Sequence, residues 1–140
     1  MKKNNYISLA KKASSIQINE LKKIKKVFNK SFVKAVDLIL NCKGKIIFAG
    51  VGKSGLIAKK ISATFSSVGI PSFFCDPAQA LHGDMGQIEK KDVLIIFSYS
   101  GNTLELNNML KYANRYRIKI IGVASKVDSL LLKASDIKLL

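Results

Sequence analysis

The stretch Lys45 to Gly55, K-I-I-F-A-G-V-G-K-S-G, limits the fold more than any other part of the 140-residue chain. Ile46, Ile47, Phe48 and Ala49 form a short apolar run that meets glycines at 50, 52 and 55. Bulky and β-branched residues followed by glycines describe a buried strand entering a tight turn. Beyond the turn, Leu56, Ile57, Ile61 and Phe65 recur at helical spacing, so Ser54 lies at or beside a helix start. A glycine loop between strand and helix turns backbone N–H groups toward one spot at the positive end of the helix dipole. That arrangement suits an anion, most often a phosphate. Lys53 adds a mobile cation there, and Ser54 and the backbone of Gly52 add hydrogen-bond donors.

Before this stretch, residues 5–15 and 17–42 read as helices. In the second, Ile18, Leu21, Ile24, Val27 and Phe28 recur at three- and four-residue steps, continuing through Val36, Ile39 and Leu40. Lys22, Lys23, Lys25, Lys26 and Lys30 occupy the other side, which predicts a long core-covering helix with a wet lysine face. After it the chain alternates. A helix over about 54–68 ends at Gly69, and a short strand follows at Ser72–Cys75. Asp76-Pro77 breaks that strand, and 77–81 suit about a turn and a half of helix. A polar His82-Gly83-Asp84 loop leads to an apolar strand over 92–98. Ser98 to Thr103 then opens a helix reaching about Tyr116, followed by a strand at 118–124, a helix near 129–134 and a strand beginning at Ile137.

Continuous apolar strands alternating with helices predict an α/β fold: a three-layer parallel sheet with helices on both faces, flavodoxin-like. Residues 1–44 are expected to form N-terminal helices packing on an α/β domain at 45–140. Right-handed crossovers place the loops after the strands along one edge. Gly50–Gly55, Asp76–Asp84 and Ser98–Thr103 are therefore expected on one rim.

The net charge of +15 is uneven: residues 1–45 hold twelve lysines against two acids. Only Arg115 and Arg117 are arginines, although arginine is the usual residue for bidentate base and phosphate contacts. The excess reads as a solvated lysine face rather than a nucleic-acid site. Cys42 and Cys75 are too few for a disulfide scaffold and read as buried thiols in a reducing, cytoplasmic setting. No apolar run approaches the length of a membrane span.

The first loop also fits the dinucleotide pattern G-x-G-x-x-G, with Asp76 as an acid 26 residues after Gly50, so a nucleotide remains a rival on that loop alone. A Walker A loop does not fit, because Ile47 stands where its first glycine belongs. The second loop points to a smaller ligand. Ser98, Ser100 and Thr103 supply hydroxyls, and Gly101 and Asn102 supply N–H groups, beside a helix start. An ordinary N-cap explains one such hydroxyl but not the set. His82, the only histidine, lies in a polar rim loop, and Glu105 lies in the first helical turn after the serine loop, where it either offsets the dipole or acts as a base. One histidine with Asp76 and Asp84 does not make a convincing metal set.

Gly-Val-Gly-Lys-Ser-Gly, Pro-Ser-Phe-Phe, Ala-Leu-His-Gly-Asp-Met-Gly and Ser-Tyr-Ser-Gly-Asn-Thr together resemble the sugar-isomerase (SIS) domain of arabinose-5-phosphate isomerases, from about Cys42 onward. The resemblance implies interconversion of D-ribulose 5-phosphate and D-arabinose 5-phosphate through an enediol, supplying the precursor of the Kdo sugar of lipopolysaccharide. It implies Glu105 as the base, Lys53 as the cation near the sugar oxygens and His82 as a substrate contact. Ser54, Ser98, Ser100 and Thr103 would hold the phosphate. It also implies a tetramer and no organic cofactor. Two residues depart from the family pattern: Asp76 stands where some members carry a histidine tied to substrate and zinc, and Gln79 replaces a common glutamate. The family's further histidine, last SIS helix and paired CBS domains have no counterpart in the 140 residues, so the domain is expected to be C-terminally incomplete. A non-catalytic SIS module that binds or senses a sugar phosphate is the alternative.

Overall fold

The computed structural model describes residues 4–140; Met1, Lys2 and Lys3 of the N-terminal segment lie outside the described residues. Five strands, β1 (Ile46–Gly50), β2 (Ser72–Cys75), β3 (Val93–Phe97), β4 (Lys119–Val123) and β5 (Ile137–Leu139), form one sheet in the order β2-β1-β3-β4-β5. Every pairing is parallel. This is the doubly wound order expected from the alternation of apolar strands and helices.

Side-chain alternation divides the core in two. Ile47, Ala49, Leu94, Ile96 and Ile120 face α4 (Leu106–Arg115) and α5 (Leu130–Ala134), which contribute Leu106, Met109, Ala113, Leu131 and Leu132. Ile46, Phe48, Val93, Ile95 and Ile121 face the other way, against Ala35 of α2 (Lys30–Leu40) and Ala58, Ile61 and Phe65 of α3 (Lys53–Ser67). Phe48 sits centrally there, edge-on to Phe65 at 5.0 Å and stacked on Phe97 at 6.5 Å. With both faces covered, β1 and most of β3 are buried, as their uninterrupted apolar runs require.

Gly55 shows what the glycine spacing accomplishes. A Cβ at Gly55 would lie 2.6 Å from the carbonyl oxygen of Gly50, so only glycine lets α3 start this close to the end of β1. Gly52, at φ +58°, makes the preceding turn through the left-handed region. Close helix–strand packing at Gly55 and the positive φ at Gly52 therefore account for two glycines of the dinucleotide-like pattern without any nucleotide.

The N-terminal segment departs from the sequence expectation. Instead of separate helices at 5–15 and 17–42, one helix, α1, runs from Asn4 to Lys23. A 3-10 turn at Ile24–Val27 follows, and the chain breaks at Phe28 before α2 begins. No glycine or proline interrupts the region around Gln17, so nothing stops the first helix there. Asn29 causes the later break: its side-chain oxygen accepts the N–H groups of Ser31 (2.8 Å) and Phe32 (3.4 Å), a cap that starts a new helix. Core covering falls to α2 alone. Along α1, Tyr6, Ile7, Leu9, Ile16, Ile18 and Leu21 remain exposed. The expected helix at 77–81 shortens to a 3-10 turn at Ala80–His82.

Asp136 ties the last strand to β4. Its carboxylate accepts from Lys119 Nζ (2.6 Å) and from the Ile120 N–H (2.9 Å). Partial burial pushes its pKa up, but the Lys119 and backbone hydrogen bonds outweigh that and leave it below the ordinary 3.8. A depressed pKa stabilises the fold above the ordinary value, and that contribution disappears as pH falls through the lower folded value. Asp136→Asn is expected to lower Tm by a few degrees at pH 7, with the gap to the parent closing as pH falls below the ordinary carboxylate range, as thermal melts across pH will show. Gly55→Ala, which drives a methyl into the Gly50 carbonyl, is expected to cost about 2 kcal/mol or more in denaturant unfolding.

Candidate active site

The register of the ladder assembles the rim. Ala49 pairs with Cys75, Gly50 with Phe97, Phe97 with Val123 and Val123 with Leu139. All five strands thus end level, and the loops that follow them leave from one edge. Ser54, at the start of α3, and Ser98, just after β3, line the same cleft of about 310 Å³. Phe97, Tyr99, Val123, Ala124, Ser125 and Leu140 complete its wall. The glycine loop and the serine loop therefore meet.

Within the serine loop the polar groups are already bonded to one another. Ser98 is buried; its Oγ accepts the Gly101 N–H (3.0 Å) and lies 2.8 Å from Thr103 Oγ1. Ser100 Oγ accepts the Asn102 N–H (3.2 Å), and Asn102 Oδ1 accepts the Leu130 N–H (2.9 Å). The expectation of free N–H groups at Gly101 and Asn102 is thus modified: serine hydroxyls hold both. An anion here meets hydroxyls, whose protons rotate to a new acceptor at little cost.

The three residues expected to carry chemistry are exposed. Lys53 is the first residue of α3, beside Gly52. His82 ends the 3-10 turn after β2. Glu105 stands one residue before α4, because the helix starts at Leu106 after two short-range turns from Thr103 and Leu104. None of the three lines the cleft that holds Ser54 and Ser98. Asp76 is engaged locally, its Oδ1 accepting the Ala78 N–H (2.9 Å). Burial, reinforced by the negative charges of Asp84 and Asp76, pushes the Cys75 thiol up to about 11, which leaves it protonated and unreactive at neutral pH. Among the described residues, no cluster of three or more His, Cys, Asp or Glu side chains is placed to hold a metal.

Ser125 and Tyr99 are wall residues that the motifs did not single out. The signal for Ser125 was positional: it follows the fourth strand, whose C-terminal loop belongs to the same rim as the other three.

The comparisons with known proteins converge. The "Probable arabinose 5-phosphate isomerase" of Haemophilus influenzae is 39% identical over 132 residues, which is 94% of this chain and 39% of that protein. The arabinose 5-phosphate isomerase GutQ of Escherichia coli (strain K12) is 40% identical over 114 residues, 81% of this chain and 36% of its own length. The chain thus spans about two fifths of the curated relatives it matches. Among solved structures, an Escherichia coli protein in complex with arabinose 5-phosphate superposes at a TM-score of 0.86 with 36% identity, over 99% of this chain and 74% of that one. A Listeria monocytogenes structure reaches a TM-score of 0.92 with 34% identity, over 98% and 72%. The SIS domain matches residues 39–140, and with that match over a parallel five-stranded sheet of the same architecture the chain belongs to the SIS domain family.

Proposed function

We propose that this chain is the phosphosugar-binding domain of an aldose–ketose isomerase that interconverts D-ribulose 5-phosphate and D-arabinose 5-phosphate. The observation that carries this reading is the meeting of Ser54 and Ser98 on one cleft at the level ends of the strands. Relatives named for this reaction, and the 36%-identical structure holding the sugar phosphate, support it.

The phosphate is the anchor. Ser54, at the N-terminus of α3, and the hydroxyls of Ser98, Ser100 and Thr103 hold its oxygens, with the helix dipole favouring the charge. The backbone at Gly52 and Gly101 and the side chain of Asn102 border the same position. The reaction moves one proton between C1 and C2 and one between the neighbouring oxygens, with no change in overall oxidation state. Glu105 takes the carbon-bound proton to form the enediol and returns it to the other carbon. Lys53 stabilises the negative charge that develops on the sugar oxygen. His82 contacts the substrate hydroxyls and assists ring opening, and Asp76 borders that end of the site. No organic cofactor enters these steps, and none of them uses a metal.

The reaction supplies the precursor of Kdo and belongs to the cytoplasm on this reading. Among the described residues no helix is long and apolar enough to cross a membrane. The exposed apolar stripe of α1 supports self-association, with a tetramer as the assembly.

Purified protein is expected to convert ribulose 5-phosphate to arabinose 5-phosphate, and Glu105→Gln to lower kcat by about 10²- to 10⁴-fold while pentose phosphates still raise Tm. Unchanged turnover in that variant would remove Glu105 from the mechanism. Stabilisation by pentose phosphates without any conversion would leave the sensing module as the function. Leu21→Ser with Ile24→Ser, both on the exposed stripe, is expected to shift the solution mass toward the monomer in light scattering without loss of the domain's secondary structure.

A further inference from the structure

We propose that Ser125 and Asn102 are positioning residues: with the backbone of Leu130 and Leu131 they clamp the serine loop in the shape that receives the phosphate. The inference rests on the phosphosugar reading of the cleft and assigns a task to the loop after β4, which the motifs left without one.

The clamp is a set of four hydrogen bonds between residues 125–131 and residues 99–102. The carbonyl oxygen of Tyr99 accepts both the Ser125 N–H (3.0 Å) and the Ser125 Oγ–H (2.6 Å). The Gly101 carbonyl accepts the Leu131 N–H (2.9 Å), and Asn102 Oδ1 accepts the Leu130 N–H (2.9 Å). Gly101 also lies flat against Ser129: at φ +66° it has no room for a Cβ, which would overlap the Ser129 side chain. Ser129 is buried and caps α5 by accepting the Leu132 N–H. The loop is thus pinned on both sides of Ser100, at Tyr99 to Ser125 just past β4 and at Gly101 and Asn102 to the start of α5.

The pins act on the groups that meet the ligand. Ser98 and Ser100 orient their hydroxyls by accepting from Gly101 and Asn102, so any shift of those two residues moves both hydroxyls. Asn102 has its side-chain oxygen committed to Leu130, which makes it a strut rather than a phosphate contact. Ser125 holds the loop through the Tyr99 carbonyl, and both residues line the cleft. Binding to a loop already held in its bound shape avoids the cost of ordering it, and that difference appears as affinity.

The test uses the full chain, with inorganic phosphate and ribulose 5-phosphate as separate probes in titration calorimetry, and amide hydrogen exchange of residues 99–102 without ligand. Ser125→Ala and Asn102→Ala are each expected to weaken both probes by about fivefold and to speed exchange at Gly101 and Asn102. Ser125→Thr, which keeps the hydroxyl, and Asn102→Asp, which keeps the acceptor for Leu130, are expected to restore the protection. In turnover the loss in Ser125→Ala falls on KM rather than kcat. Unchanged exchange and affinity in both alanine variants would overturn the clamp. Asn102→Ala losing affinity while exchange at Gly101 and Asn102 stays as slow as in the parent would instead make Asn102 a direct phosphate contact and overturn its role as strut. If the parent binds neither probe, the phosphosugar reading falls and takes the clamp's role in binding with it; the exchange data identify that case, because protection of the loop is measured without ligand.

Discussion

One buried carboxylate sets the alignment on which the site depends. Asp92 is 2% exposed at the entry of β3, and its two oxygens accept the N–H groups of Lys45 (2.7 Å) and Glu89 (2.8 Å). The Lys45 ammonium lies 3.6 Å away and balances its charge. A charge taken out of water needs such partners, and here all of them lie at the N-terminal ends of β1 and β3. The Val93 N–H then bonds the Lys45 carbonyl, and the ladder proceeds from there. A slip of one residue would exchange the two faces of β3 and break the carboxylate's bonds together. Five residues further on, the same register puts Gly50 beside Phe97, and so the glycine loop beside the serine loop. The bottom of the sheet determines the geometry at its top.

The sheet was legible because its residues satisfy one strong rule. A parallel strand covered on both faces must be apolar throughout, and Ile46–Phe48 and Val93–Ile96 are. The rim was legible for the same reason, since alternating strands and helices allow one handedness of crossover. The N-terminal helices were not. Leu21 and Ile24 keep helical spacing on either side of the point where α1 gives way to a 3-10 turn, so periodicity continues through a break that Asn29 creates by hydrogen bonding. Periodicity records which side is apolar, not whether anything covers it; the exposed stripe of α1 has the same pattern as the half-buried one of α2. In the serine loop, composition revealed the hydroxyls and the N–H groups but not that they bond to each other. Ser125 escaped notice because its contact with Tyr99 spans 26 residues and leaves no local spacing to read.

Those contrasts divide the candidate site into groups that hold position and groups that remain free. Ser98 is buried, Ser129 is buried, and Asn102 and Ser125 have side-chain atoms committed to Leu130 and Tyr99. Lys53, His82 and Glu105 are exposed on the same rim. A group that must transfer a proton needs an atom free to meet the substrate, whereas a group that fixes an anion gains from being preorganised. On the proposed reading the serine and glycine loops would anchor the phosphate and the three exposed residues would carry the chemistry. None of the three lines the cleft of Ser54 and Ser98, so that reading requires the sugar carbons to extend out of the cleft toward them.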